Sequence, residues 1–314
     1  MSERVLVTGG CGFIGSHLVQ ALLARGARVR VLDDLSSGRA ENLGAARADV
    51  ELHEADVRDA AAVARACAGV AVVYHQAARP SVPRSVEDPQ GTFDVNVLGT
   101  HHLLLAARAA GARRLVMASS SSVYGDQPEL PKHEGMAPMP ASPYAAQKLA
   151  GEQLGMAFSR SLGLEVVALR YFNVYGPRQD PTSAYAAVIP AFVAALLAGR
   201  APTIFGDGEQ TRDFTYVEDV VRANLAAGEV AGAGGHALNV AGGRRVSLLE
   251  LYDQLARLCG AAGRAPLHAP PRPGDVRDSL ASVARAAEVL GWRPEVPLDE
   301  GLRRTVAALR ARSA

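Results

Sequence analysis

Short apolar runs alternate with helical patterns through the first half of the chain. The runs have the length of buried strands and occupy residues 4–8, 28–32, 50–57, 70–75, 114–118 and 164–170. Helical patterns follow at residues 16–25, at 94–111 and from Tyr144. Repeated strand–helix units of this length predict a doubly wound parallel sheet, which binds its ligands at the carboxyl ends of the strands.

The pattern changes after Arg170. Residues 171–181 form a turn-rich loop, and residues 184–199 have the pattern of an apolar helix. A short strand, a helix near Glu218, a glycine-alanine loop, a helix from Ser247 and two short helices are predicted beyond it. We expect a Rossmann-type α/β domain over residues 1–170 that regains about 212–240, and a smaller C-terminal α/β domain over 171–211 and 241–314.

A glycine-rich turn separates the first strand from the first helix. Gly9, Gly12 and Gly15 have the spacing that allows a tight turn and close approach of a pyrophosphate to the helix N-terminus. Asp33 ends the second strand, where a carboxylate binds a ribose 2′-hydroxyl and repels a 2′-phosphate. The unit predicts a dinucleotide site that prefers NAD to NADP, with Asp56 and Val57 near the adenine.

Tyr144 and Lys148 are four residues apart and so share one face of the predicted helix. An ammonium beside a phenol favours the phenolate and lowers the tyrosine pKa, which lets tyrosine act as a general base. Lys132 and Lys148 are the only lysines of a chain that otherwise uses arginine. The pair is a candidate catalytic site.

Composition excludes several other classes of function. The 314 residues carry a formal net charge of +1 without a basic run, which argues against a nucleic-acid partner. The cysteines (Cys11, Cys67 and Cys259) lack metal-ligand spacing, so we expect reduced thiols and no metal. No apolar run approaches the roughly 18 residues of a membrane span. With the first strand beginning near Arg4, we expect a cytoplasmic protein without a signal peptide.

Five motifs together resemble the extended short-chain dehydrogenase/reductase family. They are Gly9–Gly15, Ser120–Gly125, Ser142–Tyr144 with Lys148, Arg170–Pro177, and Gly206–Gly208 followed by Arg212–Phe214. Within the family the chain looks most like the UDP-hexose 4-epimerases, especially those that accept UDP-N-acetylglucosamine. The resemblance spans Val5 to about Trp292. It implies a homodimer that epimerises a UDP-hexose at C4 through a 4-keto intermediate, with tightly bound NAD.

The resemblance also implies roles for individual residues. Tyr144 would be the base, Lys148 would hold the nicotinamide ribose, and Ser120 would bond the sugar 4-oxygen. The residues expected to contact NAD are Gly9, Gly12, Phe13, Ile14, Gly15, Asp33, Asp34, Asp56, Val57, Ala77, Ala78, Asn96, Tyr144, Lys148 and Tyr171. Those expected to contact the UDP-sugar are Ser81, Ser120, Ser121, Tyr144, Asn173, Ala187, Val188, Arg212, Arg272, Asp275 and Ser279.

Four of these substrate residues have specific implied tasks. Arg212 and Arg272 would clamp the diphosphate, since guanidinium groups suit its geometry, and Asp275 would bind the uridine ribose. Ser279 would gate the pocket beside the sugar's 2-substituent, and its small side chain leaves room for an N-acetyl group. Pro80 stands where the N-acetyl-accepting subgroup has glycine.

Other activities remain as alternatives. Related nucleotide-sugar dehydratases and decarboxylases carry carboxylates right after the serine position, where this chain has Ser121 and Ser122. A reductase or dehydratase would change the sugar's mass. A UDP-glucuronic acid 4-epimerase would need a cation near C6, which Arg79 or Arg84 could supply. A non-catalytic NAD-binding sensor would not need Ser120, Tyr144 and Lys148 together.

Overall fold

A seven-stranded parallel sheet forms the centre of the molecule. The computed structural model describes residues 3–181, 187–271 and 276–313. Its strands are β1 (Arg4–Thr8), β2 (Arg28–Asp33), β3 (Glu51–Glu54), β4 (Val72–His75), β5 (Arg114–Ser120), β6 (Glu165–Tyr171), β7 (Val174–Tyr175), β8 (Thr203–Phe205), β9 (Thr211–Asp213), β10 (Thr215–Tyr216), β11 (His236–Val240), β12 (Arg245–Ser247) and β13 (Leu267–Ala269). The sheet order is β11-β6-β5-β4-β1-β2-β3, with each pairing parallel. The predicted doubly wound α/β fold is confirmed.

Helices cover both faces of this sheet and also build a smaller region beside it. They are α1 (Phe13–Ala24), α2 (Ala60–Cys67), α3 (Val82–Glu87), α4 (Pro89–Phe93), α5 (Thr100–Ala109), α6 (Pro143–Ser161), α7 (Val188–Leu197), α8 (Val217–Glu229), α9 (Leu248–Cys259), α10 (Ala284–Leu290) and α11 (Leu298–Ser313). Helices α1 and α8 pack in one apolar cluster with the sheet, and α2, α5 and α6 pack in a second. The central strands β1, β4, β5 and β6 are largely apolar because both their faces are buried, whereas the edge strand β3 is polar and partly exposed.

The strand order places a crevice at one edge of the sheet. From β1 the order runs outward through β2 and β3 on one side and through β4, β5 and β6 on the other. Parallel strands that diverge in this way leave a ligand-binding crevice at their carboxyl ends. Thr8, Asp33, Ser120 and Tyr171 end four of these strands.

A smaller region lies beside the sheet. Helices α7, α9 and α11 share an apolar cluster that includes Phe192, Leu251 and Leu302. Three two-stranded pairs accompany them: β7 with β10, β8 with β13, and β9 with β12. No helix in the described ranges is both long and apolar enough to cross a bilayer.

The structure departs from the predicted elements in three places. Residues 236–240, which had no predicted strand, form β11 at the edge of the sheet beside β6. Of the helix predicted from residue 184, the described part begins at Val188, and residues 184–186 lie outside the described residues. The last helix, α11, has 16 residues instead of being short, because it buries Leu302, Val306 and Leu309 against α7 and α9.

Candidate active site

A cavity of about 790 Å³ opens at the carboxyl ends of the strands. Both the sheet region and the smaller region contribute to its wall. The predicted site residues that line it are Gly9, Gly12, Phe13, Ile14, Gly15, Asp33, Asp34, Asp56, Val57, Ala77, Ala78, Ser81, Ser120, Tyr144, Lys148, Tyr171, Asn173 and Ala187. Residues predicted from distant parts of the chain therefore meet around one space.

Some predicted residues do not line this cavity. Ser121, Val188, Arg212 and Ser279 lie outside its lining, and Arg272 and Asp275 lie outside the described residues. Arg212 donates to the backbone carbonyls of Thr211 and Arg277, which directs it along β9.

Asn96 also lies behind the lining instead of in it. Its side-chain oxygen accepts the Arg79 N–H at 2.8 Å, and its amide donates to Gln147 at 2.9 Å. A side chain engaged in this way supports the loop after β4. The contact of Asn96 with the cofactor stays a prediction, and the structure shows the side chain bound to the backbone of Arg79.

The glycine turn has the shape of a phosphate-binding site. Gly9 has φ +68°, and a Cβ there would lie 2.7 Å from the Ala77 nitrogen. A Cβ at Gly15 would lie 2.0 Å from the Gly9 carbonyl oxygen. Gly12 precedes α1 without a side-chain cap, so the N–H groups of Phe13 and Ile14 begin the helix unobstructed. Helix N-termini of this kind bind diphosphates.

Asp33 is the acidic group next to this turn. Its carboxylate oxygens accept the N–H groups of Cys11 at 2.8 Å and Leu35 at 2.9 Å. Burial raises the pKa of Asp33, and these two backbone donors lower it. Asp33 thus holds the glycine turn against β2 and lines the cavity, where a ribose would be bound. Together these groups fit a dinucleotide.

Ser120, Tyr144 and Lys148 meet on the opposite wall. Pro143 is the first residue of α6, and Ser142 caps the helix by accepting the Ala145 N–H at 3.2 Å. One turn separates Tyr144 from Lys148, and Tyr144 hydrogen-bonds Ser120. The arrangement joins a phenol, a hydroxyl and an ammonium at one end of the cavity.

The acid–base state of this group differs from the expectation that Lys148 lowers the tyrosine pKa. Burial raises the pKa of Tyr144 to about 12, and the opposing contribution comes from the Ser120 hydrogen bond. Burial lowers the pKa of Lys148 to about 8. Desolvation disfavours both the phenolate and the ammonium, so the chain alone does not make Tyr144 a strong base.

Sequence reasoning missed a set of contacts that bridges the cavity, which we call the Arg178 bridge. Arg178 donates to the Asn42 carbonyl at 2.8 Å, to Gln20 at 3.0 Å and to His17 Nδ1 at 2.6 Å. His17 Nε2 in turn contacts the Pro177 carbonyl at 2.9 Å. The loop after β7 is thereby fastened to α1. Arg178 is separated from His17 by 161 positions, so no local pattern could have revealed the contact.

Comparison with known proteins gives consistent matches. Residues 5–241 match the model of the NAD dependent epimerase/dehydratase family. A UDP-glucose 4-epimerase of Mycolicibacterium smegmatis is 48% identical, with 99% of each chain covered. The Thermotoga maritima UDP-glucose 4-epimerase, solved with UDP-glucose, superposes with a TM-score of 0.94 at 39% identity, covering 99% of this chain and 100% of that one. A UDP-N-acetylglucosamine 4-epimerase of Methanobrevibacter ruminantium, solved with UDP-N-acetylmuramic acid, has a TM-score of 0.94 at 38% identity and the same coverage.

Proposed function

The chain belongs to the NAD dependent epimerase/dehydratase family, and we propose that it interconverts UDP-hexoses by epimerisation at C4. The observation that carries this proposal is the meeting of Ser120, Tyr144 and Lys148 in the wall of a cavity that also contains the glycine turn. A binding protein would need only the turn. A non-catalytic sensor would therefore give no role to Ser120, Tyr144 and Lys148.

NAD fits the glycine turn and Asp33. When bound, NAD⁺ would supply a reversible hydride acceptor and a positive charge in the site. That charge favours the phenolate of Tyr144, whose pKa the chain alone holds near 12. The protein's share of catalysis is to orient the sugar and hold one proton at the right atom.

The protein residues move that proton in both directions. Tyr144 takes the proton of the sugar 4-hydroxyl as C4 is oxidised to a ketone, while Ser120 donates a hydrogen bond to the same oxygen. After the 4-keto sugar turns over, Tyr144 returns the proton to that oxygen as C4 is reduced from the other face. Atoms and electrons balance within one turnover, so no external oxidant or reductant is consumed.

A dehydratase is less compatible with the residues beside Ser120. Ser121 and Ser122 follow it in a short 3₁₀ turn, and Ser122 donates its hydroxyl and N–H to the Ser120 oxygen. These positions carry no carboxylate to remove a proton from C5. We therefore propose a reaction that preserves the mass of the sugar.

For the substrate, we propose UDP-glucose and UDP-N-acetylglucosamine with their galacto partners. Support comes from structural neighbours of both kinds, a UDP-glucose 4-epimerase and a UDP-N-acetylglucosamine 4-epimerase. Arg84 lines the cavity and is the cation that keeps UDP-glucuronic acid as the alternative. The positive charge of Arg79 lowers the pKa of Asp56, alongside the stronger effect of Arg58, so it acts on the cofactor side.

NMR of the purified protein with each UDP-sugar tests the proposal. We expect the galacto-configured product to accumulate to equilibrium without added cofactor. Tyr144→Phe should lower kcat by roughly 10²–10⁴-fold, the usual contribution of a general acid–base group. Tyr252→Phe is the matched control, because the Tyr252 hydroxyl donates to the Arg264 carbonyl and does not line the cavity. A change in sugar mass, or wild-type activity in Tyr144→Phe, would contradict the proposal.

We also propose a homodimer formed through α3, α4, α5 and the π-helical turn Asp94–Gly99 that connects α4 to α5. Val86, Phe93, Leu98 and Leu105 are 64%, 45%, 40% and 45% exposed, an unusual run of large apolar side chains on adjoining helices. Light scattering should give twice the 32.8 kDa chain mass. Phe93→Lys should yield monomers; a wild-type monomer would refute the dimer.

Two further assignments complete the proposal. Residues 171–211 and 241–314 would bind the nucleotide sugar, and residues 1–170 with about 212–240 would bind NAD. Support for this division is that α8 packs on β4, β5 and β6. We also propose a cytoplasmic location, for which the three free cysteines are support.

A further inference from the structure

A buried ion pair lies directly behind the catalytic groups. Glu152 on α6 is 1% exposed, and Arg170 on β6 is 4% exposed. The Arg170 guanidinium binds both carboxylate oxygens, with Nε at 3.0 Å from Oε2 and Nη2 at 2.5 Å from Oε1. Oε2 also accepts the hydroxyl of Ser119 at 2.9 Å. One carboxylate thus joins α6 to both β5 and β6.

The network continues from Arg170 into the loop that follows the catalytic serine. Arg170 Nη1 donates to the Tyr124 hydroxyl at 2.9 Å, which donates to Asn239 at 2.7 Å. Asn239 in turn donates to the Lys132 carbonyl at 3.0 Å. The side chains are all buried and mutually satisfied, so each fixes the position of the next.

The position of Glu152 relates it to the proposed reaction. It follows Lys148 by four residues and Tyr144 by eight, so the three side chains lie along one side of α6. Its partner Ser119 precedes Ser120 on β5. The carboxylate therefore connects the helix that carries the base to the strand that carries the serine.

We propose that Glu152 is a positioning residue that holds Tyr144 and Lys148 in register with Ser120. The inference rests on the proposed epimerase function. Replacing a buried ion pair with apolar residues of similar volume is often neutral for stability, so stability alone does not explain the pair. A bidentate charged contact does fix a geometry, and small misplacements of reacting groups lower rates about 100-fold.

Three variants separate positioning from stability. Ser119→Ala removes the link between β5 and α6 and leaves the ion pair. Glu152→Gln keeps the shape and removes the charge. The double variant Glu152→Met with Arg170→Met leaves no unpaired charge. Each is assayed for kcat, KM, the pH dependence of kcat and Tm.

The matched control is a second Arg–Glu pair, which joins β5 to β6. Arg114 and Glu165 begin β5 and β6 at the opposite end of the sheet, and Nε lies 2.9 Å from Oε2. Glu165→Gln should leave kcat unchanged. This variant measures how much the loss of an Arg–Glu contact far from the site changes kcat, KM and Tm.

The expected results are a kcat lowered roughly 10–100-fold in Glu152→Gln and several-fold in Ser119→Ala, with KM within about twofold. The pH profile of kcat should shift because Tyr144 is displaced. The double variant should regain Tm but not kcat. Unchanged kcat in Glu152→Gln, or kcat that recovers together with Tm, would show a purely structural role. A wild-type protein without epimerase activity would overturn the proposed function, and this inference with it.

Discussion

The two sides of the cavity, which we propose to be a cofactor side and a nucleotide-sugar side, are held by different kinds of contact. On the cofactor side, Gly9, Gly15 and the strand ends shape the wall through the backbone, and Asp33 fastens the turn to β2. On the sugar side, segments far apart in sequence are joined through side chains. Asp213 is the centre of that arrangement, accepting the N–H groups of Gly243 and Ala281 at 3.1 Å each.

Two buried carboxylates show what this difference means. Glu152 faces an arginine, which matches its charge. Asp213 is fully buried and is met by backbone N–H groups of residues 242–244 and 281. Burial raises the pKa of Asp213 to about 7, although these N–H groups act to lower it. The sugar side thus contains a buried carboxyl that joins distant segments and whose pKa is raised to about 7.

The Arg178 bridge connects the two sides, and its removal should have the largest effect on cofactor retention. Hydrogen bonds to charged groups contribute about 1.5–3 kcal/mol. We expect Arg178→Ala to release NAD roughly 100-fold faster, since the loop after β7 is no longer held on α1. The measurement is the ratio of NAD to protein after gel filtration, followed over time.

Arg39→Ala provides the control for that experiment. Arg39 lies 3.8 Å from Asp180 on the rim of the same cavity, with both side chains about half exposed. Exposed pairs of this kind contribute little, so release should change less than about fivefold. Equal release from both variants would mean that surface charge, and not the bridge, retains the cofactor. NAD retained as in wild type by Arg178→Ala would show that the bridge has no such role.

The comparison also explains which features the sequence could predict. Some features are local patterns in the sequence: the strands, the glycine turn and the Tyr144–Lys148 pair. They could be predicted because each depends only on residues that lie a few positions apart. The strand β11 was missed because His236–Val240 is a short segment with two polar residues, and its place in the sheet depends on β6.

Contacts between distant segments could not be predicted from the sequence for a related reason. His17 and Arg178 carry no distinctive local pattern, and only the fold brings them together. The expected effect of Lys148 on the pKa of Tyr144 failed because helical spacing predicts proximity but not desolvation. Burial of both groups outweighs their interaction.

A smaller effect is expected from Asp213→Asn, and it depends on pH. A carboxyl whose pKa is higher in the folded protein, about 7, than in the unfolded chain, about 3.8, binds more protons when folded. Its contribution to stability is therefore fully present below about pH 4 and is lost as pH rises through 7. Asparagine does not titrate and can accept only one of the two N–H groups at 3.1 Å.

The free energy of unfolding, measured with urea from pH 4 to 8, should show this as a difference between the two proteins. Asp213→Asn should be destabilised most at low pH, and the difference should shrink by at most about 1.4 kcal/mol per pH unit up to pH 7. His17, whose pKa burial lowers to about 4, has the opposite pH dependence but cancels in the difference. Asp278→Asn is the control. Asp278 is only partly buried and accepts the Thr211 hydroxyl at 2.5 Å, so its replacement shows whether loss of any carboxylate in this region changes the free energy of unfolding with the same dependence on pH. If the difference in unfolding free energy between wild type and Asp213→Asn is constant or grows from pH 4 to 8, Asp213 is ionised throughout this range. The stability of both sides of the cavity would then be equally insensitive to pH.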